Sequence, residues 1–276
     1  MKIARVFAQK KSSFTPTDQD CYFGAPGCLT PHYDEVHVSC VFTWDKPYAE
    51  WLAFQWQGHG LVKLGGPAYK SPCIDFIPGR YVAPGIIFTT RGCPNKCHWP
   101  TGRCLVPDLE GSFRELPITP GNIVQDNNIL AASESHWNKL VAMLRKQKRV
   151  FFKGGLEARR LTDKKIDDLR SLSIKSLYLA CDTPHALPAI ITAIKRLSKV
   201  GFTNNHIYVY ALCGNDMEEE RARMEQICLA GGTPFAQLYQ PPADNKKIYP
   251  SEWIKFANFW SRPASIWSDI NRLYAK

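Results

Sequence analysis

A chain of 276 residues with 45% hydrophobic and 22% charged residues has the composition of a folded globular protein, which excludes a disordered or collagen-like one. No apolar run approaches the ~20 residues that a membrane span needs, so no membrane is expected among its partners. The formal net charge of +10 leaves nucleic acid and other polyanions open as partners, although solvated helix faces would carry such charge equally well.

The first seven residues, Met1-Lys-Ile-Ala-Arg-Val-Phe7, hold no signal-peptide apolar core, so the cytoplasm is the expected address. The ten cysteines are then free thiols rather than a disulfide framework. Residues 3–7 read as a strand. Residues 35–42 begin with the alternation of a half-buried strand. Pro47 opens a helix running through Trp56. Residues 61–64 form a third strand, ending in Gly65-Gly66-Pro67. This is a small α/β unit. Residues 76–84, with two prolines and a glycine, read as a linker.

From residue 85 the alternation becomes regular. Strands are expected at 86–89, 122–125, 150–152, 176–180, 206–212 and 235–239. Trp137, Leu140, Val141 and Leu144 have helical spacing, and Ile166, Leu169 and Leu172 mark the next helix. Thr183-Pro184 reads as an N-cap followed by proline at the first helical position, and Gly201 stops that helix. A helix over 217–229 follows, and Pro250 opens a last one with Trp253, Phe256 and Trp260 on a shared face. Six strand–helix units in succession predict a parallel sheet, flat or curled into a barrel, with its chemistry at the C-terminal strand ends.

Those strand ends are polar or glycine-rich. They carry Cys93, Cys97 and Cys104, then Asp126-Asn127-Asn128, Lys153-Gly154-Gly155-Leu156-Glu157, Cys181-Asp182 and Cys213-Gly214-Asn215-Asp216. Each non-cysteine residue here has an alternative use as a turn residue or helix cap. Three thiols on one loop are different, because they can hold a soft metal or three irons of a cluster. Cys21, Cys28, Cys40, Cys73, Cys181, Cys213 and Cys228 are scattered and read as core or loop residues.

Without residues 100–103 the loop would read Cys-Pro-Asn-Lys-Cys-His-Trp-Cys, a Cys-X3-Cys-X2-Cys arrangement. With that loop, Arg114-Glu-Leu-Pro117, Asn122-Ile-Val-Gln-Asp-Asn-Asn128 and Gly154-Gly-Leu-Glu157, the chain resembles the radical S-adenosylmethionine superfamily over about residues 61–239. The branch with an N-terminal cobalamin-binding-like domain is the most similar.

The resemblance implies an α/β fold. A partial (β/α)6 barrel of parallel strands at 85–245 would be preceded by a small, reduced Rossmann-like unit at 1–84 and followed by a Trp-rich helical segment at 246–276. It also implies a 4Fe–4S cluster on Cys93, Cys97 and Cys104, with one iron open to S-adenosylmethionine, whose reductive cleavage gives a 5′-deoxyadenosyl radical. Asp126 and Asn128 would face the methionine amino group, and Glu157 and Asp182 the methionyl or ribose part. Gly154 and Gly155 would let the backbone approach the cofactor, while Trp99 and Gly214 would lie near adenine. Reduced flavodoxin or ferredoxin would donate the electron.

Two departures stand out. Residues 100–103 are inserted before the third cysteine, so Arg103 replaces the usual aromatic neighbour of Cys104. Either the insertion bulges outward and returns Cys104, or the cluster is distorted or absent. In the N-terminal unit Gly65-Gly66-Pro67 resembles a cobalamin-domain turn, but the Asp-X-His-X-X-Gly motif is missing and His59 reads as a loop residue. Cobalamin is therefore a lesser expectation. The competing expectations are a nucleic-acid-binding protein with zinc on the three cysteines and His98, and a degenerate scaffold without metal. Substrate and catalytic residues are not named by the sequence.

Overall fold

The computed structural model describes residues 1–71, 76–99, 102–104, 106–241 and 246–274. Near the N-terminus, β1 (Ile3–Phe7), β2 (Cys21–Tyr22), β3 (Glu35–Ser39) and β4 (Leu61–Gly65) pair in parallel in the order β2-β1-β3-β4. Strand alternation buries Ala4, Val6, Val36 and Val38 against Ala49 and Leu52 of α1 (Lys46–Gln55) and against Trp56. The glycine turn after β4 closes inward. Gly66 has φ +106°, and a Cβ there would stand 2.5 Å from the carbonyl oxygen of Cys40. Its glycine serves a close backbone approach within the unit.

The second sheet begins with β5 (Ile86–Ile87). Then come the short strands β6 (Thr90–Arg91), β7 (His98–Trp99) and β8 (Gly102–Arg103), the single-turn helix α2 (Val106–Glu110), and β9 (Arg114–Glu115). From β10 (Ile123–Val124) onward, strands and helices alternate: α3 (Glu134–Leu144), β11 (Val150–Leu156), α4 (Asp163–Arg170), β12 (Ile174–Ala180), α5 (Leu187–Lys199), β13 (Ile207–Cys213), α6 (Met217–Leu229) and β14 (Thr233–Leu238). The helices α7 (Ser251–Phe259) and α8 (Pro263–Tyr274) follow.

The six strands of this sheet are parallel and lie in chain order, β5-β10-β11-β12-β13-β14. Right-handed crossovers between successive neighbours place the helices on one face. There Val150, Phe152, Leu177, Leu179, Ile207 and Val209 pack against Trp137, Leu140, Ile166, Leu169, Ile190 and Ile194. The opposite face holds the alternate residues, half-buried.

Two expectations need correction. Among the described residues the first crossover carries one helix, the single-turn α2, and otherwise the short strands of the cysteine loop. Thr183 and Pro184 do hold the N-cap and first-turn positions, but of a 3-10 turn, Pro184–Ala186, and without a side-chain capping bond; α5 begins at Leu187 with Pro188 in its first turn. The tryptophan-rich end is part of the core: Phe256, Trp260, Ile266 and Ile270 pack on Ala211, Met224 and Ala236. Among the described residues no helix is long and apolar enough to cross a membrane.

Candidate functional site

The cysteine loop is fixed at its root by Asp126, just past β10. One carboxylate oxygen accepts from the backbone N–H groups of Thr89 (2.6 Å) and Thr90 (2.7 Å), and the other from the Thr89 hydroxyl (2.8 Å). Burial pushes the Asp126 carboxyl up to about 6, against the pull of those three donors. Asp126 is 1% exposed and both its oxygens are spent on the loop, so in this structure it clamps the loop instead of facing a ligand. Pairing of β6 with β9 and an Arg91–Glu110 ion pair of 3.2 Å close the base of the loop.

The inserted segment forms an antiparallel ribbon. His98 pairs with Arg103 and Trp99 with Gly102. Below that ladder the N–H of Cys104 donates to the carbonyl oxygen of Cys97 at 2.8 Å, which sets the two cysteines side by side. Pro100, Thr101 and the side chains of Trp99 and Arg103 lie outside the described residues, so the expected Trp99 contact is not placed.

Cys93 is held from the other side. The Asn128 amide donates to its sulfur at 3.6 Å and to the Glu157 carboxylate at 2.8 Å. Glu157 also accepts from Asn95 (2.9 Å) and Arg160 (2.8 Å) and pairs with Arg159 at 3.2 Å. Burial alone would raise the Glu157 carboxyl, but the bonds from Asn128, Asn95 and Arg160 outweigh it and hold the group below its ordinary value. The Asn128 side-chain carbonyl oxygen is buried with no hydrogen-bond partner among the described residues.

Gly154 and Gly155 make this meeting possible. A Cβ on Gly154 would fall 1.8 Å from the carbonyl oxygen of Asp126, and Gly155 has φ +87°. The β11 ladder shifts register between Phe152 and Leu156, which carries Glu157 to the cysteine loop.

Burial first, then repulsion from Cys104 and Cys93, pushes the Cys97 thiol up to about 11, and the Cys104 thiol is raised mainly by burial. The three sulfurs are thus within electrostatic reach of one another. They do not converge: among the described residues no three His, Cys, Asp or Glu side chains are grouped as for a metal ion. The donor set nonetheless suits a soft cation. All three are free, half-buried thiols on one loop, and bound iron or zinc would replace the protons that burial retains.

Asp182 and Gly214 lie on a cavity of about 440 Å³ at the ends of β12 and β13, whose wall also includes His98 from the ribbon. Arg223 of α6 closes it. It is 4% exposed, and its guanidinium donates to the carbonyl oxygens of Cys181 (3.3 Å) and Leu212 (2.6 Å), while its buried Nε has no partner among the described residues. Burial pushes the Asp182 carboxyl up to about 6, and Arg223 draws it partly back. Gly214 is pressed beneath Tyr249, where a Cβ would stand 2.5 Å from the phenol oxygen, and its N–H bonds to Glu220 at 3.1 Å. A larger hollow of about 490 Å³ beside α2 is lined by Glu110 and Arg114; Arg114 donates to the Glu110 backbone carbonyl oxygen, and the Glu110 carboxylate accepts from Arg91.

Sequence reasoning missed Arg223 and the place of His98 in this cavity. Arg223 could have been noticed as one of two charged residues, with Glu220, on the buried stripe of α6 beside Met224 and Ile227.

In the N-terminal unit, His59 stacks on His32 at 5.5 Å and meets Trp56 edge-on at 5.6 Å. No protein-family model matches the chain, and no curated protein is detectably similar to it.

Proposed function

We propose that this chain is a radical S-adenosylmethionine enzyme acting on a substrate held near the C-terminal ends of the main sheet. The observation that carries the reading is the return of Cys104 to the side of Cys97 by the inserted ribbon, with Cys93 tethered to Asn128. On this reading Cys93, Cys97 and Cys104 hold a 4Fe–4S cluster, which when bound supplies one electron for reductive cleavage of S-adenosylmethionine.

The chain's own residues have separable tasks. Asp126 fixes the root of the loop, and the Glu157–Asn128 pair orients Cys93. The side-chain carbonyl oxygen of Asn128, free among the described residues, can accept from an ammonium group such as that of methionine. Asp182, Arg223, His98 and Gly214 frame a cavity of nucleoside size, where Arg223 can bind a carboxylate and Asp182 a hydroxyl or amino group. Sequential strand order with helices on one face supports curling into a partial (β/α)6 barrel. Exposed Lys96 and Arg159 beside the loop suit an acidic electron donor of the flavodoxin or ferredoxin class, in a cytoplasmic setting. Cobalamin has less support, since the Gly66 turn closes on Cys40.

A second reading, one zinc on the three cysteines and His98, is favoured by His98 standing next to Cys97 in the ribbon. Anaerobic reconstitution with iron and sulfide separates the two. A brown protein, bleached by dithionite and forming 5′-deoxyadenosine, is expected, with iron lost in Cys104→Ala. A colourless protein with one zinc would establish the second reading, and a folded protein retaining neither metal would mean a scaffold.

A further inference from the structure

The sheet face away from the helices carries an aromatic wall that the site described above does not use. Tyr178 of β12 stacks between Tyr208 and Tyr210 of β13, with ring centroids 4.9 and 4.6 Å away, and Phe235 of β14 meets Tyr210 edge-on at 5.7 Å. All four are half-buried. Among the described residues the hydroxyls of Tyr178 and Tyr208 have no hydrogen-bond partner, whereas that of Tyr210 donates to the Lys153 carbonyl oxygen at 3.1 Å.

Lys153 extends over the same face. Its ammonium lies 5.6 Å from the ring centre of Phe151 and 5.4 Å from that of Phe14, and among the described residues it meets no carboxylate. The register that pairs Ile123 with Phe151 and Val124 with Phe152 sets Gln125 beside Lys153. The Gln125 side-chain carbonyl oxygen is buried without a partner among the described residues. An aromatic wall, an amide with an unused acceptor and an ammonium without a carboxylate thus share one face. Among the described residues the two tyrosine hydroxyls, the Gln125 oxygen and the Lys153 ammonium lack the polar partner each would ordinarily have.

We propose that this face binds a mononucleotide, with its base against the tyrosine wall, its phosphate on Lys153 and a ribose hydroxyl donating to the Gln125 side-chain oxygen. Packing on aromatic rings tolerates any base, a glutamine oxygen accepts from a hydroxyl, and a lysine is a point-charge phosphate binder. An aromatic amino acid fits less well, because the strand residues of this face include no Asp or Glu for its ammonium group; Glu157 and Asp182 lie past the strand ends, by the cysteine loop. Phe14 roofs the Lys153 end, and its carbonyl oxygen accepts from the N–H of Ala83 at 2.8 Å, which suits a single nucleotide better than a polymer. Because β11 runs from Phe151 and Lys153 through the glycine pair to Glu157, a bound ring would lie beneath the cysteine loop. Only its standing as the substrate rests on the proposed radical chemistry.

Calorimetry on the full chain with AMP, GMP, CMP and UMP, their nucleosides, ribose 5-phosphate and a short oligonucleotide tests this. At least one mononucleotide should bind about tenfold more tightly than both its nucleoside and ribose 5-phosphate. Lys153→Met should abolish the advantage over the nucleoside, and Lys153→Arg should keep it. Gln125→Glu, which sets a carboxylate beside the phosphate position, should weaken the nucleotide about tenfold, and this variant serves if Lys153→Met does not fold. Absence of mononucleotide binding, equal binding of ribose 5-phosphate, or binding of the oligonucleotide alone would overturn the proposal. S-adenosylmethionine cleavage is assayed on the same preparation. Nucleotide binding without cleavage removes the proposed chemistry and keeps this site; cleavage without nucleotide binding does the reverse.

Discussion

The carbonyl oxygen of Asp126 occupies the place where a side chain on Gly154 would begin, 1.8 Å from the ideal Cβ position. The ends of β10 and β11 therefore touch backbone to backbone, and that contact lets Glu157 reach the cysteine loop. Gly154→Ala must part the two strand ends, at an expected cost of about 3 kcal/mol or more. Gly58→Ala is the control. Its φ of +89° with nothing within 4 Å of the Cβ position leaves only the conformational penalty, about 1–2 kcal/mol. Equal losses in urea unfolding would show that the close approach is not the reason for glycine at 154.

Asn128 links Cys93 and Glu157 through one amide nitrogen. Asn128→Leu keeps the volume and removes both bonds, which should destabilise the chain by about 1–2 kcal/mol. Glu157 keeps Asn95, Arg160 and Arg159, so the loss should be partial. In a double-mutant cycle with Glu157→Gln the coupling should be about 1 kcal/mol. A coupling indistinguishable from zero would mean that the pair contributes no structural link.

The inserted ribbon returns Cys104 to Cys97, and deletion of residues 100–103 would shorten the same path. On the proposed chemistry the deletion variant should bind as much iron per chain as the parent after anaerobic reconstitution, whereas Cys104→Ala should bind less. If the deletion variant folds yet loses its metal while His98→Ala loses it equally, the ribbon itself is supplying a ligand, as in the zinc reading.

The strand–helix alternation could be read from the sequence because local patterns carry it. The helix at Met217–Leu229 has its cap in Asp216, whose side chain accepts from the N–H groups of Glu218 and Glu219. The short strands β2, β6 and β9 could not be read, since two residues hold no period and their pairing comes from distant chain. The cysteine loop was legible as chemistry, but the direction of each strand-end side chain was not. Asp126 and Asn128 look alike in sequence, yet one turns inward to Thr89 and the other toward Cys93. Arg223 was hidden for the same reason. Its partners are carbonyl oxygens at the ends of two other strands, which only the assembled sheet brings to it.

Asp182 makes the cavity sensitive to pH. Burial pushes its carboxyl from an ordinary 3.8 up to about 6, with Arg223 only partly opposing the shift. A folded value above the unfolded one means that the folded chain holds this proton more tightly. The stabilising contribution is thus complete below about pH 4 and is lost as the pH rises through 6. Asp182→Asn has no proton to lose, so its stability relative to the parent should climb between these limits, by on the order of 2 kcal/mol. Asp126 is raised in the same direction but is common to both proteins, so the difference between them isolates Asp182. Urea unfolding of the pair at intervals across this range measures it. A difference that stays flat would mean that the Asp182 carboxylate is ionised in the folded chain at little cost, with Arg223 or solvent stabilising it in full.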